Sequence, residues 1–127
     1  MQILLDSHAL WWFIEGSAKL PKETFNIIKA FKNNAYISIA TLWEVAIKLS
    51  INKLTFDGGI EHFIEIVEDN GFSLLGISTD HIKKVTELPF IHRDPFDRII
   101  IAQSMVENMT IITVDENIQK YDVNVAW

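Results

Sequence analysis

Ile3-Leu4-Leu5-Asp6-Ser7-His8-Ala9-Leu10-Trp11-Trp12-Phe13-Ile14-Glu15 changes character at a single residue, Asp6. Before it stand three consecutive apolar residues, the length of a buried strand; after it, Ser7–Glu15 carries helical spacing. A strand that passes directly into a helix is the unit from which parallel sheets are built, because a parallel return needs a crossover. Similar strand-like runs follow: Tyr36-Ile37-Ser38-Ile39, Phe72-Ser73-Leu74-Leu75, Thr110-Ile111-Ile112-Thr113-Val114 and Val123-Asn124-Val125. Between them, Pro21–Asn34, Thr41–Ser50, Ile60–Asn70, Thr79–Leu88 and Pro95–Glu107 read as helices, with Pro21 and Pro95 near N-termini and Gly71 after a C-terminus. A short helical turn is expected after Asp115. The alternation predicts α/β architecture, with right-handed crossovers, a mostly parallel five-stranded sheet and helices on both faces.

With 127 residues and 49% hydrophobic content, residues 1–127 are expected to form a single domain around one site. No repeat, low-complexity tract or linker divides them. The absence of cysteine removes disulfides and thiolate zinc sites, and nothing calls for an oxidising compartment, so the cytoplasm is expected. The first apolar run lacks a basic leader and no run approaches the ~20 apolar residues that span a bilayer, so neither secretion nor membrane insertion is expected. The net charge of −6 argues against gripping nucleic acid by bulk electrostatics, unless the negative charge collects in one pocket and is neutralised there by cations. Asp57-Gly58-Gly59 gives the segment Asn52–Gly59 the chemistry of a mobile loop.

The acids fall at informative places. Asp6 ends the first strand, Glu44 lies a turn into the helix after the second, Asp97 opens the helix before the fourth, and Asp115 follows that fourth strand. Ligands of open parallel sheets bind outside the carboxyl ends of the strands, where strand order reverses. Capping explains each acid singly: Thr41-Leu42-Trp43-Glu44 matches a capping box, Asp94-Pro95-Phe96-Asp97 a capped start, and Asp6 and Asp115 suit N-caps. Capping does not explain four acids on one rim. At separations of ~5 Å each pair repels by roughly 3 kcal/mol at an effective dielectric of 20. Such a cluster persists by taking up protons or a cation, and all-oxygen donors favour Mg²⁺ or Mn²⁺. Divalent metal held by carboxylates suits phosphodiester hydrolysis.

Leu4-Leu5-Asp6-Ser7-His8-Ala9-Leu10, Thr41-Leu42-Trp43-Glu44-Val45-Ala46-Ile47-Lys48, His92-Arg93-Asp94-Pro95-Phe96-Asp97-Arg98 and Thr113-Val114-Asp115, in that order, resemble the PIN-domain ribonucleases, particularly the toxins of VapBC toxin–antitoxin pairs. Tyr121 and Trp127 match the tail of that family. The resemblance implies a three-layer α/β/α sandwich, an endoribonuclease dependent on Mg²⁺ or Mn²⁺, a homodimer, and a separate small antitoxin that silences it. Carried over by position, the catalytic and metal-binding acids are Asp6, Glu44, Asp97 and Asp115, supported by Thr113 and by Ser7, which stands where many members have threonine. Asp94 is assigned to capping beside them.

Lys48, one turn after Glu44, suits either an ion pair or a phosphate contact. Arg93 and Arg98 flank Asp97 and are candidates for RNA contact or for pairing with the carboxylates, with Arg98 leaning to the structural role. His8 and His92 read as structural histidines; His62 and His81 carry no signal. Leu10-Trp11-Trp12-Phe13-Ile14 is apolar around too much of a helix for one core-facing stripe, which leaves a partner surface and a buried core as alternatives. A catalytically silent interaction module keeps the same acids without chemistry. A phosphatase of the aspartyl-phosphate type usually has an Asp-x-Asp after the first strand, where this chain has Asp6-Ser7-His8. A receiver domain lacks support, since its early paired acids and late lysine are missing.

Overall fold

The computed structural model describes residues 1–127. Along the chain run β1 (Ile3–Leu5), α1 (Ser7–Glu15), α2 (Lys22–Ala30), β2 (Ala35–Ser38), α3 (Ile39–Ser50), α4 (Gly59–Asp69), β3 (Ser73–Leu75), α5 (Thr79–Glu87), α6 (Pro95–Glu107), β4 (Thr110–Ile112) and β5 (Val125–Ala126). The strands form one sheet in the order β3-β2-β1-β4-β5, and every neighbouring pair is parallel. A parallel sheet must be covered on both faces, and side-chain alternation divides the cover. Ile3 and Leu5 of β1, Ile37 of β2 and Ile112 of β4 pack with Leu10, Ile28, Val45 and Phe63, from α1 to α4. Leu4 and Ile111 turn the other way, onto Ile100 and Ile101 of α6 with Leu88, Ile118 and Tyr121. The result is the three-layer α/β/α sandwich. Fully buried Phe63 alone contributes roughly 1.5–3 kcal/mol.

Winding outward from β1 to β3 and returning to β4 and β5 reverses the strand order between β1 and β4. Leu5 and Ile112 are register partners there, so the residues that follow them, Asp6 and Thr113, leave the sheet side by side.

Several boundaries differ from the sequence reading. Helix α3 starts at Ile39, because the Ser38 hydroxyl accepts from the Ala40 N–H at 3.1 Å and takes the capping position. The Thr41–Glu44 capping box therefore does not form, and Glu44 is left to face the site. The helix expected over Pro21–Asn34 ends at Ala30, and a 3-10 turn at Lys32–Asn34 redirects the chain into β2. The turn after Asp115 is also a 3-10 turn, Ile118–Lys120.

The aromatic stretch of α1 is largely matched within the chain. Trp11 stacks on Phe63 at 5.6 Å, Trp12 meets Trp127 edge-on at 5.9 Å, and Phe13 contacts Phe25 and Phe72. The core reading thus accounts for most of its surface. Phe56 packs against Trp11 and Phe63 and anchors the loop Asn52–Gly59. In that loop Gly58 has φ +86°, and a Cβ there would fall 2.6 Å from the His62 Cβ, so only glycine fits. No helix is long and apolar enough to cross a membrane.

Candidate metal centre

Asp6 is 3% exposed and caps α1. Its Oδ1 accepts from the Ala9 N–H at 2.8 Å, and its Oδ2 accepts from the Thr113 hydroxyl at 2.5 Å, a bond across the β1–β4 crevice. Burial raises the Asp6 pKa; the bonds from Thr113 and Ala9 oppose that without cancelling it. Thr113 is fully buried, and its oxygen also accepts from the Asp115 N–H at 3.0 Å, so one hydroxyl ties together the ends of two strands and two acids.

Glu44 projects from the second turn of α3. Lys48 pairs with its Oε2 at 3.0 Å, whereas its Oε1 is buried without any hydrogen-bond partner. An orphaned carboxylate oxygen away from water is costly unless something positive meets it. A cavity of about 90 Å³, lined by Ser7, His8, Trp11, Glu44 and Lys48 among others, opens beside it.

The segment Asp94-Pro95-Phe96-Asp97 starts α6 as a capped turn with proline at the first position. Asp94 Oδ1 accepts from the N–H groups of Phe96 at 2.8 Å and Asp97 at 3.2 Å. Asp97 lies in that first turn, and its pKa is raised to about 7, first by burial, then by the charge of Asp94, with Asp6 and Glu44 adding to the effect while His92 opposes it. The acids therefore lie within reach of one another's fields. Asp115 behaves differently. Its partial burial acts upward, but bonds from His92 and from the N–H groups of Asn117 and Ile118 prevail and hold its pKa below the ordinary value.

His92, read from sequence as structural, sits inside the cluster. Its Nε2 lies 3.0 Å from Asp97 Oδ2 and 3.0 Å from Asp115 Oδ2, and one donor atom from each of these three residues falls within 4.8 Å of the others. No sequence periodicity marks it, since it stands in the irregular connection before α6. Arg98 and Tyr121 shape that connection. Tyr121 Oη accepts from the N–H groups of Ile91 at 3.1 Å and His92 at 2.8 Å. The Arg98 guanidinium reaches the carbonyls of Val85, Pro89 and His92 and the Tyr121 oxygen. Arg98 thus binds carbonyls and makes no carboxylate pair. Arg93 is exposed and makes no ion pair. Ser7 is half-buried at the start of α1.

The donor set fits a hard divalent cation. It is all carboxylate, it includes an orphaned buried oxygen, and it holds one acid whose pKa is raised to about 7 by burial and by the neighbouring carboxylates.

The fold is shared with solved structures. VapBC2 from Rickettsia felis, bound to a DNA fragment from its promoter, superimposes with a TM-score of 0.78 at 17% identity, covering 100% of this chain and 99% of that one. A toxin–antitoxin complex from Klebsiella pneumoniae gives 0.70 at 19%, with 99% and 97% covered. FitAcB from Neisseria gonorrhoeae gives 0.72 at 16%, with 98% and 96% covered. No curated protein matches. The family model described as PIN domain matches residues 3–124, nearly the whole of the sheet and every acid of the crevice, and the chain belongs to the PIN-domain family.

Proposed function

We propose that this chain is a VapC-like endoribonuclease toxin: residues 1–127 act as one PIN-like domain that hydrolyses RNA phosphodiesters with Mg²⁺ or Mn²⁺ held by Asp6, Glu44, Asp97 and Asp115. The observation that carries the reading is the buried, partnerless Oε1 of Glu44, a carboxylate close enough to help push Asp97 to about 7. A capping role leaves neither feature explained, because Ser38 and Asp94 already cap the two helices concerned. Membership of the PIN family and the likeness in fold to toxin–antitoxin complexes support the same reading.

Divalent metal supplies positive charge that acidifies water and stabilises the leaving oxygen of a phosphodiester. The protein's residues supply the geometry. Thr113 and the Ala9 N–H fix both oxygens of Asp6, the start of α6 fixes Asp97, and Lys48 holds one oxygen of Glu44 while leaving the other free. We assign RNA-backbone contact to exposed Arg93 and to Lys48, which lines the cavity beside Glu44. A small antitoxin protein silences the enzyme, the active form is a homodimer, and the cytoplasm is where both meet RNA.

Purified protein stripped of metal is expected to leave single-stranded RNA intact, to cut it when Mg²⁺ or Mn²⁺ is added, and to stop with EDTA. Asp6→Asn or Asp97→Asn in a folded protein should abolish the cutting. Full activity in either variant would refute the assignment.

A further inference from the structure

We propose that His92 takes the place of a second cation: its Nε2–H fills the position between Asp97 and Asp115, so that the chain binds a single divalent ion, on the side of Asp6 and Glu44. The inference rests on the metal reading above and narrows it: Asp6, Glu44 and Asp97 hold the ion, and Asp115 holds His92.

The first step is the tautomer. The backbone N–H of Asp94 points at His92 Nδ1 from 3.1 Å. That nitrogen must therefore accept, which leaves the ring proton on Nε2. An Nε2 that carries its proton has no free lone pair and cannot ligate a metal. It can only donate. Its acceptor is Asp115 Oδ2 at 3.0 Å, and Asp97 Oδ2 stands equally close to the same nitrogen, so the ring occupies the space between the two carboxylates.

The second step is that the ring is fixed. Its side chain is only 12% exposed. Its own peptide N–H is held by Tyr121 Oη, its carbonyl by Arg98, and its Nδ1 by the following turn. Swinging it out to admit an ion would break these bonds together. Two-metal sites need ions roughly 3.5–4 Å apart, each among its own carboxylates, and here the imidazole already stands among those of Asp97 and Asp115.

The third step is the contrast with Glu44. It makes no bond to His92, and its Oε1 is the one buried carboxylate oxygen that nothing in the chain satisfies. That is where an ion gains most. Asp115 then serves the reaction through His92 and the Asn117 and Ile118 N–H groups that hold it, as a positioning residue.

The test is the number of Mn²⁺ ions bound by metal-free full-length protein, followed by electron paramagnetic resonance of free Mn²⁺ and by calorimetry, with melting temperature measured alongside. Wild type is expected to bind one ion per chain. His92→Ala should bind two, and His92→Gln, whose amide N–H reaches the place of Nε2, should return to one. His92→Ala should also lower the melting temperature of the metal-free protein, and saturating Mn²⁺ should remove most of that difference; a merely structural imidazole would lower both equally. If His92→Ala does not fold, His92→Asn, whose shorter amide leaves the position open, carries the same expectations. Two ions in wild type, one ion in a folded His92→Ala, or loss of binding on removal of the ring would each overturn the proposal while leaving the metal site standing. If wild type binds no Mn²⁺, the metal reading falls and this inference falls with it.

Discussion

Thr113 shows how much one side chain carries: its oxygen donates to Asp6 and accepts from the Asp115 peptide, so its loss frees two acids at once. Residues that orient metal-binding carboxylates typically govern metal affinity by about 10–100-fold. Thr113→Val, which keeps the shape and removes the hydroxyl, is expected to weaken Mn²⁺ binding by that order, measured by calorimetry, with the fold retained by circular dichroism. Asp97 carries the pH dependence. Its folded-state pKa of about 7 lies above the ordinary 3.8, so between pH 4 and 7 the folded protein holds a proton that the unfolded chain has released. The stability of the metal-free protein should therefore fall as pH rises through that window, and Asp97→Asn should lessen the change in melting temperature between pH 5 and 8, leaving the part that Asp6, also shifted upward, contributes in the same direction. Asp115, shifted downward, adds stability that disappears only as the pH falls below the ordinary carboxylate range, outside this window. Asp6, Asp97 and Asp115 stood out in the sequence because each lies at or near the end of a regular element, and Glu44 because it follows a strand by little more than one helical turn. His92 did not, because its position is set by Tyr121, 29 residues further on, through a bond that leaves no local pattern.

Elements were legible to the extent that their signals are local. Helix α6 keeps its expected limits, since Asp94 and Pro95 define its start and the left-handed Asn108 its end. Helix α3 does not, because Thr41 and Ser38 compete for the same capping role, and the serine lies directly where β2 stops. The aromatic run of α1 was ambiguous from sequence for a physical reason. Its neighbours Phe63, Phe25 and Trp127 belong to distant segments, so its excess apolar surface could not be allotted before the fold was known. The connection between α5 and α6 depends on Tyr121 Oη accepting two backbone N–H groups, with Arg98 bonding the carbonyls around it. Tyr121→Phe removes a buried acceptor and is expected to destabilise the protein by about 1–3 kcal/mol. Hydrogen exchange at Ile91 and His92 should accelerate more than exchange in the strands; equal protection in the variant would show that the hydroxyl does not hold this connection.

The whole molecule carries a net charge of −6, and that sets how it meets a polyanion. RNA binding should depend on divalent cation as much as cleavage does. With Ca²⁺ in place of Mg²⁺, fluorescence anisotropy is expected to detect RNA binding that disappears with EDTA, and Asp97→Asn should weaken the ion-dependent part. RNA bound equally well in EDTA would mean that surface lysines and arginines suffice. The order of the strands has one more consequence. Asp6 and Thr113 are bonded across 107 positions of sequence, and β4, which delivers Thr113, lies beside the first strand to be synthesised. A nascent chain still lacking β4 cannot assemble the crevice, however well its earlier helices have formed. On the function proposed above, the chain cannot act on RNA before Thr113 and Asp115 have joined Asp6, which leaves an interval in which an inhibitor can be waiting when the site first closes.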